Sequence, residues 1–282
     1  MREFVTTPPE IIPFRVGHCS APARLSRRDA GWGPIRFPAG VVLIRHPTLG
    51  DILFDSGYGR AFFDATAPFP ERIYRWLTPV TLPEDQHLTR QLARLNARPA
   101  TVILSHLHAD HIAGLFDLPQ PPGRVLTSRS AWTHMQAGSR IATLRAGCPE
   151  GLRRQLSRLS PDFIEDLPRV PAPPGLDAIG IFHALDPQAS LLAVALPGHG
   201  HGQFGLFLPE TTPKTTRGPA FLIADAAWSL AALRDNAPPP DSTLRRLGDA
   251  QAYLQTFTAL SALMRARPDI SFYPSHCPEA FP

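Results

Sequence analysis

The stretch His106-Leu107-His108-Ala109-Asp110-His111 constrains this chain more than any other. It carries four metal-capable side chains in six residues and directly follows the apolar run Thr101-Val102-Ile103-Leu104. Neutral imidazole and carboxylate are the usual nitrogen and oxygen ligands for zinc and its neighbours. On an extended segment, residues two apart point to the same side, so His106 and His108 can share one ion. A turn of helix after them brings Asp110 and His111 round towards a second. An incidental polar strand end is a poor account of four such groups packed this tightly.

Three later apolar runs end in the same kind of residue. Leu191 to Leu196 leads into Pro197-Gly198-His199, Phe221 to Ala224 into Asp225, and Ile270 to Tyr273 into Pro274-Ser275-His276. Strand ends let a sheet hold side chains rigidly while one side stays open to a ligand. His106, His108, Asp110, His111, His199, Asp225 and His276 are too many for one tetrahedral zinc and suit two. Two ions can share a carboxylate and a hydroxide when they lie about 3.5–4 Å apart.

The rest of the chain reads as strands and helices in alternation. Val41 to Arg45 and Asp51 to Asp55 are expected to pair as a hairpin around His46-Pro47-Thr48-Leu49-Gly50. Residues 61–80 mix aromatics and prolines and read as a helix and a loop. Leu88, Leu92 and Leu95 are spaced for an amphipathic helix over residues 86–96. Further strands are expected at 123–128, 178–185, 190–196, 204–208, 221–224 and 270–273. Further helices are expected near 130–136, 152–159 and 249–267. With no internal repeat and no linker, the 282 residues are read as a single domain, 1–282.

Composition excludes several classes. The net charge is +4, but Lys214 is the only lysine and the arginines are scattered, so no nucleic-acid-binding face is expected. Cys19, Cys148 and Cys277 are odd in number and far apart, which argues against a disulfide framework and fits a reducing cytoplasm. Cys277 adjoins His276 and is read as packing near the site. The segment from Met1 has no basic flank before a long apolar run. No signal peptide, membrane span or membrane partner is expected.

Taken together these motifs closely resemble the metallo-β-lactamase superfamily. The first cluster matches its His-x-His-x-Asp-His signature. The Pro-Gly-His, the strand-end Asp and the final His follow in the family's order. The resemblance implies an α/β fold, a four-layer αβ/βα sandwich with metals at one edge between two sheets. By position it implies that His106, His108 and His199 hold a first metal, that Asp110, His111 and His276 hold a second, and that Asp225 bridges. Asp55 would orient a ligand by hydrogen bonding. His199 is preferred to His201 because it directly follows Pro-Gly. His18, His46, His87, His134 and His183 have no such context.

The implied cofactors are two divalent ions, zinc foremost, with iron or manganese as alternatives. The implied chemistry is hydrolysis of an ester, lactone or related carbonyl by a metal-bridging hydroxide, with Asp110 carrying a proton to the leaving group. Within the superfamily the layout looks most like the N-acyl homoserine lactonases. Trp228 stands where that group has a tyrosine three residues after the bridging Asp, and residues 137–176 read as an insertion that reshapes the pocket mouth. Phe62, Phe63, Tyr74, Trp76 and Trp228 are candidates for an apolar pocket holding a small-molecule substrate. Such aromatics also serve as core or as homodimer contacts. The alternatives are a phosphodiesterase or nuclease, an iron-dependent oxidoreductase on the same ligands, and a binding module, which the complete ligand set disfavours. The sequence carries no fused electron-carrier module after His276.

Overall fold

A computed structural model describes residues 7–212 and 218–281. The reading of the first six residues as free of a signal peptide, and the lone Lys214, lie outside the described residues. Thirteen strands form two sheets. The first sheet contains β1 (Glu10–Pro22), β2 (Pro34–His46), β3 (Gly50–Phe54), β4 (Val80–Thr81), β5 (Thr101–Ile103), β6 (Arg124–Thr127) and β7 (Asp162–Phe163), in the order β4-β1-β2-β3-β5-β6-β7. The second contains β8 (Arg169–Val170), β9 (Phe182–Ala184), β10 (Leu192–Ala195), β11 (Phe204–Leu208), β12 (Ala220–Ala224) and β13 (Ser271–Pro274), in the order β13-β12-β11-β10-β9-β8.

Period-two alternation builds the layers. Val42 and Ile44 of β2 face inward with Ile52, Phe54 and Ile103, and meet Ala193, Leu206 and Leu222 of the second sheet. Val41, Leu43, Leu53 and Val102 face outward and pack under Phe62, Leu88, Leu92 and Leu152. On the far side, Val194, Phe207, Phe221 and Ile223 pack under Tyr253, Phe257 and Leu260 of the helix Ala250–Ala266. Asp249 caps that helix, accepting from the backbone N–H of Gln251 and Ala252, an interaction worth about 1 kcal/mol. The result is the four-layer αβ/βα sandwich.

The expected hairpin is present, with Val42 opposite Phe54 and Arg45 opposite Asp51. It is longer than its apolar stretch, because β2 begins at Pro34 and pairs along most of its length with β1. β1 was not expected: Pro13 and Gly17 interrupt its pattern, and its register shifts between Arg15 and His18. No helix among the described residues is long and apolar enough to cross a membrane.

Candidate metal centre

The seven predicted side chains converge at one end of the strands. β5 ends just before His106 and His108, and the short helix Ala109–Ile112 turns Asp110 and His111 the other way. β10 leads to His199, β12 to Asp225 and β13 to His276. Two groups of donor atoms form: His106, His108, His199 and Asp225, and beside them Asp110, His111 and His276. Within each group the donor atoms lie within 4.8 Å of one another.

The separations suit ions. Two donors each about 2.1 Å from a tetrahedral zinc lie about 3.4 Å apart. His199 Nε2 is 3.1 Å from His108 Nδ1 and 3.1 Å from Asp225 Oδ2. His276 Nε2 is 3.5 Å from Asp110 Oδ2, and His111 Nε2 is 3.8 Å from that same oxygen. Asp225 reaches both groups: its Oδ2 faces His199, and its Oδ1 is 3.3 Å from His111 Nε2. Oδ2 also lies 2.8 Å from His276 Nε2. The Nε2 atoms of His106 and His111 are buried without a hydrogen-bond partner. Buried polar atoms are rarely orphaned unless an ion or water belongs there. The donor set therefore fits two divalent ions.

The opposite ring nitrogens are held. Ser105 donates its backbone N–H to Asp55 Oδ1 and its hydroxyl to Asp55 Oδ2, both at 2.8 Å. That hydroxyl accepts from His106 Nδ1 at 3.0 Å, and Asp55 Oδ2 accepts from His111 Nδ1 at 2.7 Å. His276 Nδ1 donates to the Pro38 carbonyl at 2.8 Å. In all three rings this network leaves Nε2 with its lone pair turned to the centre. His108 differs, presenting Nδ1.

Electrostatics divide the imidazoles. Burial, then the neighbouring imidazoles, push His106 and His108 well below the ordinary histidine value. Burial also disfavours charged His111, but Asp55, Asp225 and Asp110 outweigh it and raise that ring well above its usual value. His276 follows the same logic: Asp225 more than offsets burial and brings it up to about 9. Asp225 is buried, yet His276, His111 and His199 hold it well below the usual carboxylate range.

Backbone conformation positions the ligands too. Asp55 and Ala224 adopt left-handed conformations, with φ of 61° and 47°, at the two strand ends that face the centre. Gly198 has φ of 126°, and a Cβ there would lie 2.2 Å from Tyr253 Cα. Only glycine lets His199 follow so close to that helix.

A cavity of about 230 Å³ opens over the centre. Its walls include His108, Asp110, His199, Asp225 and His276, with Phe37, Tyr58, Tyr74 and Trp228. A larger groove of about 1060 Å³ lies at the opposite end of the strands, beside Arg45 and Ile270, and contains none of the seven donors. Chemistry places the site in the smaller cavity.

Of the aromatics expected to line a pocket, Trp228 and Tyr74 do. Phe62, Phe63 and Trp76 do not. Phe62 is fully buried and Phe63 packs against the same core, because that side of helix Arg60–Ala65 faces the sheet. Trp76 is 61% exposed, its ring edge on Phe69 at 5.5 Å. Residues 137–176 likewise do not line the cavity or shape its mouth. They lie behind the first ligands, where Ala109 N donates to the Gly147 carbonyl and a Cβ on Gly147 would lie 2.6 Å from His108 Cδ2. Cys277 packs in the core between the sheets and accepts from Leu230 N–H. His201 stacks on His134 at 3.4 Å and is outside both donor groups. His46 contacts Ser190 Oγ, His183 donates to the Leu167 carbonyl, His87 sits beside Glu84, and His18 lies on β1. The sequence reading missed Phe37, Tyr58, Thr243 and Arg246 as cavity residues.

The sequence profile described as the metallo-beta-lactamase superfamily matches residues 35–212. The chain belongs to the metallo-β-lactamase superfamily. Solved members of similar shape include a variant of AiiA from B. thuringiensis with N-decanoyl-L-homoserine bound at the active site. It is 19% identical, with a TM-score of 0.70, covering 97% of this chain and 95% of that one. An N-acyl homoserine lactone hydrolase with N-hexanoyl-L-homoserine at its catalytic metal centre is 19% identical, with a TM-score of 0.69 over 97% and 94% of the two chains. The dizinc quorum-quenching lactonase AidC is 14% identical, with a TM-score of 0.60 over 98% and 90%. No curated protein matches the sequence. At these identities the solved structures establish the metallo-β-lactamase fold.

Proposed function

We propose that this chain is a binuclear metal-dependent hydrolase of a small carbonyl substrate, an ester or a lactone. The observation that carries the reading is the donor geometry: seven side chains at ligand spacing, with Asp225 offering one oxygen to each group. Zinc suits the imidazole and carboxylate donors best, with iron or manganese as alternatives. Bound divalent ions would lower the pKa of water and polarise the substrate carbonyl. The lactonase titles of the similar solved structures support a lactone among the substrates.

The chain's own residues do the rest. Asp110 sits at the cavity wall and takes a proton from the attacking water and returns it to the leaving oxygen. His111 and His276 are held by Asp55 and the Pro38 carbonyl, so the site is arranged before substrate arrives. Trp228 offers an indole N–H to a carbonyl oxygen, although unlike a phenol it cannot supply a proton. Phe37 and Tyr58 exclude water from the cavity. Ligands drawn from both sheets support reading the chain as one catalytic unit.

Metal analysis combined with a screen of lactones, esters, thioesters, β-lactams and phosphodiesters tests this reading. The expected result is about two ions per chain, with lactone or ester turnover that chelation abolishes. Asp110→Asn should lower kcat by about 10²–10⁴-fold. Undiminished turnover by metal-stripped protein would overturn it.

A further inference from the structure

Three polar groups on the cavity wall have no role in holding ions and no partner in the protein. Thr243 is 6% exposed, and its hydroxyl is buried without a hydrogen bond. Trp228 Nε1 is also buried without one. Arg246 makes no ion pair or hydrogen bond with any described residue. All three line the cavity over the metal centre.

Their placement is fixed by the fold. Thr243 and Arg246 are three residues apart on the helix Asp241–Leu247 and so share a face. The end of that helix is tied to the loop carrying His199. Gly200 N–H donates to the Leu247 carbonyl at 3.0 Å, and Gly248 pairs with His199 in a β-bridge. Arg246 is thus held at a set distance from the reacting end of the cavity. Buried donors left unpaired are costly, and a cationic fork beside them is a ready acceptor site for an anion.

Arg246 is the only lysine or arginine on the cavity wall, and Ala21, Leu25, Phe37 and Leu247 are apolar. A single guanidinium matches one carboxylate in charge and in bidentate geometry, whereas a phosphate dianion would keep one charge unpaired. We propose that Arg246 and Thr243 form a recognition subsite for a free carboxylate at the end of the substrate remote from the scissile carbonyl. The substrate class is then a small ester or lactone with an apolar body and one carboxylate. The inference rests on the hydrolase reading and narrows it.

The test compares mono-4-nitrophenyl glutarate with its methyl ester, which removes only the remote charge. Metal-loaded wild-type protein should prefer the free acid at least tenfold in kcat/KM. Arg246→Gln should bring that ratio close to one, chiefly through KM, and Arg246→Lys should restore part of it. Thr243→Val should lower the ratio several-fold. Calorimetric binding of glutarate against pentanoate gives a readout without turnover, and Arg246→Gln should weaken glutarate at least tenfold more than pentanoate. If neither ester is cleaved but glutarate binding depends on Arg246, the hydrolase reading fails and the subsite stands. If both esters are cleaved with a ratio that Arg246→Gln does not move, and glutarate binding does not move either, the subsite is overturned while the hydrolase reading stands.

Discussion

Asp55 Oδ2 accepts a hydrogen bond from His111 Nδ1 at 2.7 Å, and through the Ser105 hydroxyl it also fixes His106. One buried carboxylate therefore orients a donor from each of the two groups. Burial raises its own pKa, and these contacts pull in the opposite direction. Asp55→Asn keeps the shape but puts an amide where a charged acceptor stood. Affinity for metal should fall about 10–100-fold, as for other outer partners of ligating histidines. Competition against a chromophoric chelator measures it. Metal affinity equal to wild type would show that Asp55 does not orient these rings.

Metal uptake should release protons at neutral pH, and the donors responsible are identifiable. His106 and His108 are held neutral by burial and need lose nothing. His276 in the metal-free protein has a pKa of about 9, because Asp225 outweighs burial, so its ring is protonated at pH 7 and must give that proton up to become a ligand. His111 is raised in the same way by Asp55 and its neighbours. Weakly buffered titration with zinc should record one to two protons per chain, about the number of raised rings. The same shift has a stability sign. A raised folded pKa contributes stability that is complete below the unfolded value of 6.5 and is lost as pH rises through about 9. Metal-free protein should therefore lose thermal stability across that window, and metal-loaded protein should not. Identical profiles for the two forms would refute the assignment.

Gly198→Ala should be among the most damaging single-methyl changes in the chain. The residue has φ of 126°, and the added Cβ would meet the backbone of Tyr253 at 2.2 Å, a contact that no rotamer can relieve. The helix Ala250–Ala266 must then move from the sheet, or His199 must move from its group. A destabilisation of at least about 2 kcal/mol is expected in urea unfolding, together with weakened metal binding. Gly50→Ala is a comparison with positive φ and open space around it, so it isolates backbone strain from collision. If both variants lose the same stability, collision with Tyr253 is not the cause.

The parts of this molecule that were legible in its sequence share a physical signature. Each ligand follows an apolar strand, and an apolar run ending in His or Asp is visible without any coordinates. β10, β11, β12 and β13 were found in this way, and so was the helix Ala250–Ala266, whose periodicity persists over 17 residues. β1 was missed because Pro13 and the shift near Gly17 break its alternation, although β2 supplies partners on the other side. The helices Leu230–Arg234 and Asp241–Leu247 were missed because they have five and seven residues, too few to display a period. Thr243 and Arg246 went with them. Phe62 and Trp76 were offered as pocket residues because aromatic density says nothing about direction. One turned out to face the core and the other solvent.

Trp228 is boxed edge-on by Phe37, His199 and His276, with ring centroids at 5.8, 5.7 and 5.8 Å. Its ring is packed, yet its N–H is buried without a partner. Trp228→Phe keeps an aromatic face in the box and deletes only the orphaned donor and part of the ring. Removing a buried unpaired donor favours the folded state by about 1–3 kcal/mol, against which the lost ring atoms leave space only towards the open cavity. The melting temperature should hold or rise. Activity should move the other way, because a donor aimed at a substrate oxygen is worth about 10²–10³-fold when removed. Opposite shifts in the two measurements are the signature of a donor reserved for substrate. A fall in melting temperature with kcat/KM unchanged would make Trp228 a packing residue and would return the carbonyl-binding role to the metal ligands alone.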